Sequence, residues 1–490
     1  MNEPFIIQLT GMLNIYSSAG DSDCSGISRR DWLRAGVLGT GSISLPGFLM
    51  HRAAAALTGV DYLRDKSVVL LYLSGGASHI ETFNPNMGAH APYCSLTGEV
   101  KTTVPGLTFG GNFTRLAKQA HRMSIVRSFT HPVGNHDLAH GHVLTGGTDR
   151  KGDGKEGFSM GSMYLRLAGA THAMSGLPNF TLLTHPEVDG QYRKEQDRVI
   201  RGSAPRDLGA ANGPFWINHG SSGKYRGRDD RGGSLAKDME LSLPQVRLQG
   251  RRTLLREIDR LRRDLDTSGQ LESADRFQQQ AYDLMLGNAM DTLDLSREDP
   301  RTLERYDTSH INIGHKKLRK SDLGKQMLMA RRLVESGCGF VTVHSAGWDM
   351  HADGNNPGVV PGFQMLGTTL DIAVSAFIGD LVDRGMLDKT LLVITGDFGR
   401  TPKVNKKGGR DHWARLCTLA FAGGGLPGGA VIGKADKRNG EPADHPVSPK
   451  DMMGTIFHTL FDMGQLRVAR GLPRDLIQKM ENMKPIEGLA

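Results

Sequence analysis

Four of the chain's 18 histidines, His131, His136, His140 and His142, fall within twelve residues around GNHDLAHGHVLTGG (134–147). Imidazole binds divalent metals and moves protons near neutral pH, so such a cluster predicts a metal centre or a proton-transfer site. Further His and carboxylate residues follow segments with strand character. His79 and Glu81 come after KSVVLLYLSGG, Asp349 and His351 after GFVTVHSAG, and Asp397 after TLLVITG, while Asp411 and His412 lie in GGRDHW. Carboxylate oxygen mixed with imidazole nitrogen is a donor set for a divalent ion such as zinc, calcium or magnesium. Arg400, in GDFGRTP, has the planar fork that grips a phosphate or sulfate oxygen. Ser128 and Thr130 offer hydroxyl nucleophiles, and Arg410 flanks His412 as a substrate contact. Each residue alone also fits a plainer role as turn former, helix cap, core histidine or ion-pair partner. Recurrence at four loop positions is what favours a site.

A parallel sheet gathers such loops, because ligands bind beyond the carboxyl ends of its strands. Apolar runs at 66–79, stopped by its Gly-Gly, at 121–129 and at 177–184, and again in GFVTVHS, TLLVITG and CTLAFAG, predict buried strands. Between them, GKQMLMARRLVESG predicts a helix closed by Gly337. A second helix carries Leu366, Leu370, Ala373, Phe377 and Leu381 at helical intervals. A third is expected over 251–266, with Leu254, Ile258, Leu261 and Leu265 on one side. Alternating strands and helices imply an α/β fold with a mostly parallel sheet. The polar, Gly-rich stretch at about 189–238 reads as a long loop-rich insertion in which GPFWI (213–217) docks on the core.

With 490 residues, 38% hydrophobic and 23% charged, the chain is globular rather than disordered. Its net charge of +8 comes from scattered basic residues without a nucleic-acid-binding module, which argues against a nucleic-acid partner. Four cysteines without CxxC or zinc-finger intervals indicate no disulfide framework. SRRDWLR (28–34), a weakly apolar run and a small-residue zone at Ala53–Ala56 predict a twin-arginine signal peptide over 1–56, with one domain over 57–490. That apolar run falls short of the ~20 residues of a membrane span, so no stable span is expected. Export to the periplasm or beyond follows.

LYLSGGASHIETFNP, VRSFTHPVGNHDLAHGHVLTGG, ARRLVESGCGFVTVHSAGWDMHADG, GDFGRTPKVNKKGGRDHW and AGGGLPGGAVIGKAD together resemble the successive blocks of domain-of-unknown-function family 1501, a secreted bacterial family of the alkaline phosphatase and sulfatase superfamily. The resemblance implies an alkaline-phosphatase-like three-layer sandwich and metal-dependent hydrolysis of phosphate or sulfate esters, on a small anionic ester or a polysaccharide. It places His136 where the superfamily carries its nucleophile. It aligns Asp349, His351, Asp397 and His412 with metal ligands. Phe398 stands where a ligand histidine is expected, and Ser74 and Gly75 where the first strand should end in a ligand Asp, so Glu81 or His79 would have to substitute. No Cys occupies the formylglycine position. His136 is left open as ligand, general base or nucleophile, and His140 as a further ligand. A catalytically inactive relative that binds an anionic glycan or an envelope partner is the alternative.

Overall fold

The computed structural model describes residues 13–15, 62–172, 175–185, 190–218 and 289–489. Nine strands form its central sheet: β1 (Leu13–Ile15), β2 (Ser67–Leu73), β3 (Met123–Val126), β4 (Phe180–Thr184), β5 (Phe215–Asn218), β6 (Phe340–Ser345), β7 (Thr390–Gly396), β8 (Leu419–Gly423) and β9 (Val431–Ile432). Their order is β1-β5-β4-β6-β2-β7-β8-β3-β9. Every pairing is parallel except the two made by β8.

The central strands are buried at nearly every position because both faces are covered. Val69, Leu71 and Leu73 of β2 enter one core, and Val68, Leu70 and Tyr72 enter the other. Leu323–Glu335 and the helical run Val359–Asp383 pack on the first face. On the second lie α1 (His136–Leu144), α2 (Met160–Ala168) and Pro449–Leu460, among other helices. Each fully buried Leu or Phe contributes about 1.5–3 kcal/mol to such a core. Helices therefore sandwich the sheet, as the strand and helix alternation predicts.

Leu366, Leu370, Ala373, Phe377 and Leu381 are all buried, as expected from their periodicity. Val359–Asp383 is the one helix among the described residues long and apolar enough to cross a membrane, yet 72% of its most apolar window is buried against the protein.

The stretch expected to be loop-rich differs from that reading. Its described part contains a helix, α3 (Gly190–Gly202), and β5 lies inside the sheet. The helix expected over 251–266 lies outside the described residues, as does the expected leader apart from Leu13–Ile15. Among the described residues Leu13–Ile15 pairs with β5 alone, at the sheet's edge.

Candidate metal centre

Strands β6, β2 and β7 are neighbours, and the loops beyond their carboxyl ends carry Asp349, Ser74–Gly75 and Asp397. The first turn of α1 brings His136 to them, with the Asn135 side chain capping the helix through the Asp137 amide. A two-residue hairpin, Gly399–Arg400 against His412–Trp413, adds Arg400 and His412.

His136 is the hub. Its Nδ1 makes a short hydrogen bond to Asp397 Oδ2, and its Nε2 lies 3.5 Å from Asp349 Oδ2. His140, one turn along α1, places Nε2 3.5 Å from the same Asp397 oxygen. On the other side, Asp349 Oδ1 lies 2.8 Å from His351 Nε2 and 3.6 Å from His412 Nε2. The two imidazoles approach each other at 2.9 Å between Nε2 atoms. Phe398 packs on the His136 ring at 4.5 Å between centroids, an apolar wall where the resemblance would put another ligand.

These contacts set the protonation states. Burial opposes charge on His136, but Asp397 and Asp349 outweigh it and raise the imidazole to about 9. Burial would raise Asp349, yet Arg400, His136 and His351 hold it far below the usual carboxylate range. Asp397 is likewise held low by His140 and His136 against its burial. His140, buried completely, is lowered to about 4 and is neutral.

The donors fit a divalent cation. His136, His140 and Asp397 each offer one ligand atom within 4.8 Å of one another, and so do His136, Asp349 and His412. His136 Nε2 and both nitrogens of His140 are buried without a hydrogen-bond partner. Orphaned buried nitrogens are costly, and a cation accepts the lone pairs of imidazole and carboxylate together. His136 is shared by both groups, so two ions would have to divide its ring nitrogens.

A model of the family described as "Protein of unknown function (DUF1501)" matches residues 65–486. The chain belongs to this family. No curated protein matches it. Among solved structures it is similar to the PsFucS1 sulfatase from Pseudoalteromonas sp., at 12% identity and TM-score 0.34, covering 94% of this chain and 76% of that one. It is also similar to alkaline phosphatase from the Antarctic bacterium TAB5, at 11% identity, TM-score 0.30 and coverages of 86% and 99%. Phosphonate monoester hydrolase SpPMH from Silicibacter pomeroyi gives 12% identity, TM-score 0.32 and coverages of 87% and 77%.

Several residues expected at the centre of this DUF1501 chain stand elsewhere or take partners other than those expected. Glu81 is fully buried but belongs to a separate ion pair. Arg410 Nη2 donates to its Oε1 at 2.9 Å, and Ser95, Leu96 and Thr97 supply further donors. Arg410 also donates to the carbonyls of Cys94 and Thr401, so it braces the hairpin and is not available to a substrate. His79 donates Nε2–H to Asn439 O at 2.9 Å, away from the cluster. Ser128 Oγ donates to His445 O at 2.6 Å, and the Thr130 amide pairs with Val447. The Ser128 hydroxyl is thereby committed to the His445 carbonyl. Arg400, expected to hold an ester oxygen, instead donates to Asp349 Oδ1 at 2.5 Å and to the Gly75 and Gly76 carbonyls. Asp411 is exposed and accepts from His351 Nδ1 at 3.2 Å. His142 donates Nδ1–H to Asp149 O.

Glu81→Ala strands the Arg410 charge, and losing one partner of a buried pair costs about 3–5 kcal/mol. Chemical denaturation should show that loss, with cation stoichiometry unchanged.

Sequence reasoning missed Glu195, His344 and Tyr72. Glu195 lies in α3, His344 is interior to the β6 run, and Tyr72 is interior to the β2 run with its ring 5.6 Å from His140. A polar residue inside an otherwise apolar strand was the available signal for His344 and Tyr72.

Proposed function

We propose that this DUF1501 protein is an exported, cation-dependent hydrolase of phosphate or sulfate esters. The observation that carries the reading is the convergence of His136, His140, Asp349, Asp397 and His412, with unpartnered imidazole nitrogens among them. His351 and Asp411 extend the set outward. When bound there, zinc, calcium or magnesium would supply positive charge for an anionic ester, and zinc would in addition lower the pKa of a bound water to about 7. His136 acts as a ligand in this reading, since Asp397 already takes its Nδ1. Arg400 fixes Asp349 from behind. Phe398 shields the His136 and His412 rings from water.

An anionic substrate suits the rim. Exposed Lys403, Lys406 and Lys407 occupy the loop joining Arg400 to His412, and the Asn405 side chain ties that loop to the His351 carbonyl. The leader supports export by the twin-arginine route.

One observation favours the second reading, an inactive relative that binds an anionic glycan or envelope partner. The guanidinium best placed to grip an ester oxygen is spent on Asp349 and backbone carbonyls. Elemental analysis and turnover of aryl phosphate and aryl sulfate, with each ion added, separate the two. The hydrolase reading expects stoichiometric metal that disappears in His136→Ala, together with ester cleavage. Metal bound without cleavage favours the binding protein. A folded chain that takes up no ion overturns the cation-dependent hydrolase.

A further inference from the structure

Glu195 is 1% exposed, and among the described residues it has no ion-pair partner. Its Oε2 accepts the Ser74 hydroxyl at 3.0 Å and the Gly347 amide at 2.9 Å. Ser74 Oγ also lies 2.6 Å from His344 Nε2. Both donors sit next to the candidate centre. Ser74 precedes Gly75, whose amide holds Asp397 Oδ1 at 3.0 Å, and Gly347 lies two residues before Asp349.

The three segments meet with no space between them. A Cβ on Gly75 would stand 2.7 Å from the Asp349 nitrogen, 2.9 Å from the Trp348 nitrogen and 3.0 Å from Glu195 Oε1. Gly75 also has φ +99°, a conformation that only glycine adopts without strain. Helix α3 reaches the His136 element as well, through Arg198 Nε to Asp137 Oδ1 at 2.7 Å.

A buried carboxyl without a cationic partner is expensive, and local rules are broken mainly where function repays the cost. Burial pushes Glu195 up to about 8 against the pull of the Gly347 amide, so it is largely the neutral acid at pH 7.

We propose that Glu195 is a positioning residue: it clamps the loops after β2 and β6 so that Asp397 and Asp349 flank His136 at the separation a cation needs. This rests on the cation reading above.

The test compares wild type, Glu195→Gln and Glu195→Leu by zinc titration calorimetry, thermal unfolding of the chelated proteins, and hydrogen exchange at the Gly75 amide. Glutamine keeps an oxygen that accepts from Ser74 and Gly347, so its affinity should stay within about threefold of wild type. Leucine keeps the volume without the acceptor and should weaken zinc by about 10–100-fold, the usual effect of losing a group that orients ligands. A merely structural carboxyl would move stability rather than affinity. Leucine leaves the Gly347 amide without its acceptor, so the chelated leucine variant should unfold somewhat earlier than wild type, and affinity is compared at a temperature where all three proteins are folded. Wild-type zinc affinity in Glu195→Leu, or equal losses in both variants, overturns the proposal. If wild type itself takes up no zinc, the cation reading falls and the amide decides alone. Faster Gly75 exchange in Glu195→Leu than in Glu195→Gln supports positioning, and equal exchange overturns it.

Discussion

Asp397→Asn is expected to weaken zinc or magnesium binding by about 10²–10³-fold. Asparagine preserves shape and still offers an oxygen to the Gly75 amide, which now bonds Asp397 Oδ1 at 3.0 Å. What it removes is the negative charge that contacts His136 and lies 3.5 Å from His140. One unit charge at ~4 Å is worth about 4 kcal/mol at the dielectric of a partly buried site, and each 1.4 kcal/mol is about tenfold in affinity. The fold should survive, because His136 can release its proton once its main counter-charge is gone. Calorimetric titration of the chelated protein measures the affinity directly. Glu81→Gln is the matched control, since that carboxylate faces Arg410 outside the centre. Equal cation affinity in Asp397→Asn and wild type would sink the assignment.

The parts of this centre that sequence exposes are those carried by strand ends. Val68–Leu73 and Leu391–Ile394 are buried throughout, so an unbroken apolar run marks each strand and the next polar residues mark its loop. Asp349 and Asp397 follow from that logic alone. Glu81 fits the same logic and misleads. Position after a strand says where a carboxylate begins, whereas its partner, Arg410, comes from a distant hairpin. The α3 helix was hidden for a different reason. Its inward stripe is Tyr192, Glu195, Gln196 and Val199, at helical intervals, but half of that stripe is polar. Hydrophobic periodicity cannot register a helix that buries a carboxyl and an amide. The groups that make α3 useful to the site are the ones that disguised it as loop.

The chelated protein should lose stability as pH rises from 6.5 to 9, and a bound cation should remove the His136 share of that slope. His136 has its folded pKa raised from 6.5 to about 9 by Asp397 and Asp349, against its burial. Its stabilising contribution is therefore fully present below 6.5 and fades as pH climbs through 9. At 1.36 kcal/mol per pH unit of difference, that is about 3 kcal/mol, an order of magnitude for a site exposed to little solvent. Glu195, raised to about 8, acts in the same direction from its ordinary 4.5 upward. Below 6.5 other groups act with opposite sign. His79, His131 and His140 are lowered to about 4 by burial, so stability falls as pH drops towards that value. The window from 6.5 to 9 consequently isolates His136 and Glu195. Metal needs the unprotonated imidazole, so each pH unit below 9 costs about tenfold in affinity and loading favours the alkaline side. Thermal unfolding of chelated and zinc-saturated protein across this window should give a steep fall in the first and a much shallower one in the second, and His136→Gln should flatten most of the first. A chelated protein whose stability is unchanged between 6.5 and 9 would mean that His136 carries no proton between the two aspartates.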